Sequence, residues 1–401
     1  MAGNHPPVTD WTTDFDHTDE VWAADPYPIW ADIRASECPV VHSDRYGGVW
    51  LPTRHEDVSA IAYDTEHFSS QSPIVSEGRP MIPAPQGIAP PISSDPPFHH
   101  DARRLLLPAF SPKAVEELEP FTRQFCNDLL DQLEGNDVVD AATEYAQHIP
   151  VQVIAKMLGF PPEDADIFRT IIHNALESVD LPVEKRLENF GLLDNYLRTQ
   201  IEDHIANPRD DLTNYLLNAE MGGEPLNPEH VGGTMALLLI AGIDTTWSGI
   251  GASLWHLAKA PSDRERLAAE PELLPLAIEE FLRAYAPVTM ARLVKDDFEF
   301  NGCPMKANEW VLLPFPAANR DPEVFENPDD VVIDREVNRH AAFGLGIHRC
   351  AGSNLARMEM QVAVDVWMQR YGSDFSLADP DAVTWSGGQV RGPRQLPVRI
   401  G

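Results

Sequence analysis

The residue best placed for chemistry is Cys350, in the run Phe343-Gly-Leu-Gly-Ile-His-Arg-Cys350-Ala-Gly352, which precedes a helical pattern over Ser353 to Tyr371. A thiolate at the start of a helix is stabilised by the helix dipole and by backbone N–H groups that lack intrahelical partners. Gly344, Gly346 and Gly352 let the backbone come close, so that its amides can point at the sulfur. Together these make a shielded, hydrogen-bonded thiolate suited to ligating a metal. Cys38, Cys126 and Cys303 have no such setting and read as buried structural cysteines.

A second candidate lies in Ala241-Gly242-Ile243-Asp244-Thr245-Thr246. Asn227-Pro228 is an N-cap followed by a first-turn proline, and Pro261 closes the segment, so one long helix is predicted between them. Gly inside a helix costs about 1 kcal/mol against Ala. Asp and Thr compete there for backbone hydrogen bonds. A buried helix that breaks its own rules at one point suggests a site. Read alone, the motif is equally an Asp capped by neighbouring hydroxyls.

The elements that must hold these residues are mostly helical. Apolar residues recur at three-to-four spacing over Ala114 to Leu133, Ala142 to Leu158, Val183 to Ile205 and Glu272 to Tyr285. Strand-like pieces are short: Gly48 to Pro52, Phe298 to Asn301, Trp310 to Leu313 and Leu396 to Ile400. This predicts a mainly α fold with small β-sheets and one domain over residues 1–401, of which 1–20 form a flexible N-terminal tail. Ser69 to Pro97 is proline-rich, without periodicity, and carries Ile74, Val75, Met81, Ile82, Ile88 and Ile92; it reads as a binding loop or lid.

The cysteine segment resembles the haem-ligand loop of the cytochrome P-450 family, Phe-x-x-Gly-x-His/Arg-x-Cys-x-Gly, at every defined position. The resemblance implies that Cys350 is the axial ligand of the iron of haem b, held between the long central helix and the helix after the cysteine loop, with Phe343 against the proximal haem face. Such a ligand pushes electron density towards iron and favours O–O cleavage. Ala241 to Thr246 looks like the family's oxygen-activation motif. By resemblance, Asp244 and Thr245 are the acid–alcohol pair that delivers protons, and Ala241 and Gly242 leave room for dioxygen. Glu280-Phe-Leu-Arg283 matches the family's Glu-x-x-Arg signature, which pairs with an arginine of a later meander around Asn319-Arg-Asp-Pro; Arg335 is preferred to Arg339 for that role. Asp95-Pro-Pro-Phe-His99-His-Asp-Ala-Arg103 is similar to the helix start that reaches the haem propionates. His99 and Arg103, with Arg292 and His348, would serve them; Phe98 and His100-Asp101 depart from the usual residues.

The motifs stand in the family's order over roughly residues 20 to 400. They imply a haem-thiolate monooxygenase that uses dioxygen and oxidises a small to medium apolar substrate, such as a terpenoid, aromatic or fatty acyl compound. Pocket candidates by resemblance are the Ser69–Pro97 loop with Leu237, Leu238, Ala241, Val288, Thr289, Met290, Gln389 and Val390. Arg79 is an anchor for a carboxylate or, alternatively, an exposed charge. No nucleotide-binding glycine motif follows a strand, so electrons are expected from a separate carrier, which the family resemblance implies is a ferredoxin served by an NAD(P)H-dependent reductase. By resemblance, Arg103, Arg104, Arg349 and Arg357 lie in segments flanking the proximal haem face and could form a basic docking patch, Arg357 being equally a helix-surface charge. A peroxide-driven peroxygenase would not need Asp244 and Thr245. A haem sensor would ordinarily need a partner domain.

Composition narrows the partners further. Thirty Lys and Arg against 63 Asp and Glu give a formal net charge of −33. Such a surface repels phosphate backbones and anionic membranes. The first thirty residues lack the apolar run of a signal peptide, and the four cysteines have no CxxC spacing. A cytoplasmic, monomeric protein is expected.

Overall fold

The protein is described here by a computed structural model covering residues 5–36, 38, 40–75, 87–165, 167–170 and 183–401. Its longer helices are α1 (Tyr27–Ala35), α2 (His55–Tyr63), α3 (Phe98–Leu106), α4 (Glu119–Gln132), α5 (His148–Leu158), α6 (Val183–Ala206), α7 (Pro228–Lys259), α8 (Pro261–Ala269), α9 (Leu274–Ala284) and α10 (Ser353–Tyr371). The strands that matter here are β1 (Val40–Ser43), β2 (Val49–Pro52), β3 (Phe68–Ser69), β4 (Val138–Asp140), β5 (Thr289–Val294), β6 (Phe298–Phe300), β7 (Cys303–Met305), β8 (Trp310–Pro314), β9 (Phe375–Leu377), β10 (Thr384–Trp385), β11 (Pro393–Gln395) and β12 (Pro397–Ile400). Helices predominate and the strands are short, as the periodicity predicts.

The central helix is α7. Asn227 accepts a hydrogen bond from the His230 N–H at 2.6 Å, Pro228 fills the first turn, and Pro261 opens α8. Among the described residues α7 is the one helix long and apolar enough to cross a membrane, but most of that apolar stretch is buried inside the protein. It packs against α5 and α10 in the main hydrophobic core. A Cβ at Gly249 would lie 3.0 Å from the Met360 sulfur, so glycine there lets α7 and α10 approach closely.

A five-stranded sheet runs in the order β1-β2-β8-β5-β3. β8 is its centre, parallel to β2 with Trp310 opposite Val49, and antiparallel to β5 with Leu313 opposite Met290. Trp310 to Leu313 are all buried, which is why this strand reads as an apolar run rather than an alternation. β9, β12 and β4 form a three-stranded sheet.

Three sequence expectations are corrected. The pattern over Ala114 to Leu133 is two helices, because Pro120 sits in the first turn of α4 and starts it afresh after a short helix at Pro112–Glu116. The pattern from Ala142 begins as a π-helical turn, Ala141–Ala146, capped by the Asp140 carboxylate, before α5 starts. The segment before residue 20 is not a tail over its described part. Phe15 is 1% exposed, Arg45 bonds Asp14 at 2.8 Å and Asp16 at 2.9 Å, and the Trp11 ring lies 6.2 Å from that of Trp22.

Candidate active site

The cysteine loop is built by local constraints. Gly346 has φ +68°, and a Cβ there would lie 2.2 Å from the Ala62 carbonyl oxygen at the end of α2, so the loop fits only with glycine. The Cys350 N–H donates to the Phe343 carbonyl at 2.7 Å. Cys350 keeps accessible surface although protein surrounds it closely, which places its sulfur in a concave cleft. Burial pushes the thiol pKa up, while the Gly352 N–H and the charges of Arg103, Arg349 and Arg357 pull it down. A metal bound at the sulfur would displace the proton, which leaves to solvent, and hold Cys350 as the thiolate.

Phe343 is half-buried and lies 4.4 Å beneath the guanidinium of Arg357. Arg357 in turn makes a two-pronged contact with Glu279, Nε to Oε1 at 2.6 Å and Nη2 to Oε2 at 2.8 Å, and His340 meets the same carboxylate at 3.0 Å. The charge of Arg357 is therefore committed to Glu279 and does not add to an open basic patch. Arg104 and Arg349 are exposed, with Arg104 3.5 Å from Asp101.

Beside the cysteine, four basic groups converge from three elements. His99 and Arg103 lie one turn apart on α3, His348 is in the cysteine loop, and Arg292 is on β5. The rings of His99 and His348 are 4.3 Å apart, and Arg103 donates to the Arg349 carbonyl. Arg292 is 5% exposed, with Nη1 on the Ala291 carbonyl at 2.8 Å. Burial and then the Arg103 charge push His99 down to about 4; burial and then Arg292 push His348 down to about 2. Burial lowers Arg292 to about 10. Both ring nitrogens of His99 and Nε2 of His348 are buried without a hydrogen-bond partner. Buried polar atoms without partners are costly. A cluster of this kind, next to a cysteine, fits a haem b: a sulfur for the iron, and cationic and N–H groups for two propionate carboxylates.

On α7 the residues spaced by four, Leu237, Ala241 and Thr245, share one face that is half-buried or exposed while the rest of the helix there is largely covered. Thr245 Oγ1 donates to the Ala241 carbonyl at 2.8 Å, leaving its lone pairs to accept from the cleft side. Asp244 is one position round the helix and 3% exposed. Its carboxylate does not pair with Thr245; Arg394 on β11 holds it, Nη2 to Oδ1 at 2.6 Å. Arg394 also donates to Ser248 Oγ at 3.0 Å and lies 4.2 Å over the Trp247 ring. The sequence reading missed Arg394, since its partners lie about 150 residues earlier and no local pattern announces them.

Two candidates on α7 are corrected, Leu238 as a pocket residue and Gly242 as room for dioxygen. Leu238 is 7% exposed and belongs to the main core with Val151 and Ile154. Gly242 faces α5, where a Cβ would lie 3.5 Å from Ile154, so the opening on this helix is at Ala241. Val288 bridges Val390, the Thr289 N–H donates to the Gln389 carbonyl at 3.0 Å, and Gln389 Nε2 returns a bond to the Thr289 carbonyl at 2.7 Å. These four residues form one wall. Val288 and Met290 also rest on the second core cluster around Val311, Leu313 and Phe315. Of the proline-rich loop, Arg79, Met81 and Ile82 lie outside the described residues. Its described ends are fastened: Asp95 accepts from Ser69 Oγ at 2.6 Å and from the Ser70 N–H at 2.8 Å, and Thr234 on α7 donates to Pro90 at 3.1 Å.

Below the cysteine loop, Glu280 and Arg283 on α9 are both fully buried. Arg283 Nε and Nη2 each donate to Glu280 at 2.8 Å, and its other donors reach the carbonyls of Asn319 (3.0 Å), Pro328 (2.6 Å) and Asp330 (2.7 Å). Glu280 also accepts from Arg335 Nε at 3.0 Å, Asn338 at 3.1 Å and the Val332 N–H at 2.8 Å. Asn319 ties this network to the cysteine loop by accepting from the Ala341 N–H at 2.6 Å.

One buried acid has no such support. Glu359 on α10 is 1% exposed, its Oε2 has no hydrogen-bond partner, and burial pushes its pKa well above the usual range. An acid whose folded pKa is raised favours the folded state below its unfolded pKa, near 4.3, and loses that advantage as pH rises through the folded value. Stability should therefore decline above pH 5 by up to about 1.4 kcal/mol per pH unit from this group. Glu359→Gln is expected to melt like wild type at pH 4.5 and higher than wild type at pH 8. Parallel melting curves at all pH values would remove the assignment.

Comparisons with known proteins bear on this arrangement. The family model described as "Cytochrome P450" matches residues 170–384. The vitamin D(3) 25-hydroxylase of Pseudonocardia autotrophica is 34% identical over 387 residues, covering 94% of each chain. The solved structure of PksS, the cytochrome P450 of the Bacillus subtilis 168 bacillaene polyketide synthase, superposes with a TM-score of 0.87 at 29% identity, covering 96% of this chain and 100% of that one. CYP109E1 of Bacillus megaterium, solved in complex with testosterone, gives a TM-score of 0.85 at 32% identity, covering 94% of this chain and 98% of the other.

Proposed function

The chain belongs to the cytochrome P450 family, and from that premise we propose that it oxidises an apolar organic substrate with electrons from a separate ferredoxin. It is a monooxygenase of that family and takes haem b, which the family binds through a cysteine thiolate. Cys350 is the ligand in this proposal. The observation that carries it is the cluster of His99, Arg103, Arg292 and His348 beside Cys350, with buried imidazole nitrogens that have no protein partner. When bound, the haem supplies the activation of dioxygen and the transfer of one oxygen atom to substrate.

The chain's own residues do the rest. The basic group fixes the propionates, and the glycine-lined loop holds the sulfur in one place. Phe343, packed under Arg357, shields it from water. Thr245 uses its hydroxyl proton on Ala241, so its oxygen accepts from a proton donor in the cleft and holds that donor in position. Asp244 is the carboxylate that passes protons in from the Arg394 side of α7. Leu237, Ala241 and the wall of Val288, Thr289, Gln389 and Val390 present an apolar surface to substrate. Similar proteins whose names speak of a vitamin D(3) substrate and a testosterone complex support an apolar molecule.

The test uses the holoenzyme with a ferredoxin, its reductase and any compound that shifts the Soret band. Thr245→Ala should keep consuming NAD(P)H while product formed per NAD(P)H falls on the order of tenfold or more, with hydrogen peroxide making up the balance. Full coupling in that variant would contradict the role given to Thr245. Turnover by peroxide alone, with no response to ferredoxin, would replace the monooxygenase reading with a peroxygenase one.

A further inference from the structure

We propose that Cys38 and Cys303 are a dithiol site that closes to a reversible intramolecular disulfide, remote in sequence and element from Cys350. Cys38 precedes β1 and is exposed, which corrects the expectation that it is a buried structural cysteine; Cys303 opens β7 and is 7% exposed. Both thiols converge on one acceptor. Cys38 Sγ lies 3.2 Å and Cys303 Sγ 3.9 Å from the Val40 carbonyl oxygen. The two thiols are near enough that Cys38 raises the pKa of Cys303. Closure requires the Cys38 sulfur to leave the Val40 carbonyl and move onto the Cys303 sulfur, which shares that acceptor.

Access favours the same chemistry. Both cysteines line a cavity of about 470 Å³, together with Arg54, Glu56, Asp57 and Asn301. The oxidant is a low-molecular-weight disulfide. In the first step the Cys38 thiolate attacks one sulfur of that disulfide, forming a mixed disulfide and releasing one thiolate of the reagent. In the second the Cys303 thiolate attacks the Cys38 sulfur, forming the Cys38–Cys303 bond and releasing the other half. Two protein thiols are oxidised and one reagent disulfide is reduced to two thiols, with the two protons passing to the leaving groups.

The order of steps follows from the surroundings. Burial, then the charge of Cys38, push the Cys303 thiol up to about 11. Cys303 is therefore the slower nucleophile while Cys38 is free. Once Cys38 is capped, its charge no longer opposes ionisation of Cys303, and the second step is eased. The closed disulfide ties the chain before β1 to the β6–β7 hairpin and restricts the unfolded chain across most of its length.

The experiment incubates the holoenzyme with oxidised glutathione, blocks remaining thiols, and maps non-reduced peptides by mass spectrometry. The expected product is a Cys38–Cys303 peptide pair lighter by two hydrogens, reversed by dithiothreitol, in a protein that melts a few degrees higher than the reduced form. Cys303→Ser should stop at one glutathione on Cys38, and Cys38→Ser should leave Cys303 unmodified. Wild type that carries glutathione on Cys38 without the cross-link, that forms a Cys38 link between two chains, or that stays unmodified would each overturn the proposal.

Discussion

Arg283→Ala should destabilise the protein by about 3–5 kcal/mol, the cost of leaving a buried carboxylate without its partner. All five guanidinium donors of Arg283 are used, two on Glu280 and three on carbonyls of the segment from Asn319 to Asp330. Removing them takes away the two-pronged partner of Glu280, which keeps only Arg335, Asn338 and the Val332 N–H, and leaves three backbone acceptors unmet at once. With an unfolding entropy of about 2 cal/mol/K per residue, the loss corresponds to a melting temperature lower by about 5 °C. Arg283→Lys should be nearly as damaging, since an ammonium has three donors and no planar fork. Haem content should fall with stability, because Asn319 carries the strain from this network to Ala341 and so to the cysteine loop. A lysine variant with wild-type melting and haem content would show that the network is dispensable.

Asp244→Asn should lower turnover by about 10²-fold while the Soret response to a bound compound is unchanged. The amide keeps the shape of the carboxylate but cannot take up and release a proton at neutral pH. Arg394→Gln separates this from a structural role. If Asp244 only braces Arg394, both single variants and the double variant lose the same activity. If Asp244 moves protons and Arg394 positions it, Asp244→Asn loses far more than Arg394→Gln, and the double variant resembles Asp244→Asn. The solvent-isotope effect on turnover should rise in Arg394→Gln, where the acid is present but no longer held at 2.6 Å.

What could be read from the sequence was what depends on neighbours along the chain. The cap at Asn227, the length of α7 and the glycine-bounded cysteine loop are local devices, and the structure has each where the residues ask for it. The break at Pro120 was equally local and shows that a proline in a periodic run deserves to be read as a start. The helical phase of the pocket was half legible. Spacing by four from Thr245 selects Ala241 and Leu237, which places Leu238 on a different face and in the core.

The remainder depends on contacts across the fold. Phe15, Asp14 and Asp16 are held by Arg45 and an aromatic cluster, so a stretch that looks polar and irregular is packed. The Asp244–Arg394 pair joins the middle of α7 to β11. Arg357 looked like a surface cation near a docking face, yet Glu279 neutralises it. The charge of −33 says nothing of such pairings; it describes the outer surface and leaves the cleft basic.

The central claim, that Cys350 holds haem b through its thiolate, is tested most directly by the spectrum of the reduced carbon monoxide complex. Wild-type holoenzyme should show the red-shifted Soret band of a thiolate ligand, and Cys350→Ala should lose it. A variant that binds haem with the wild-type spectrum would contradict the claim.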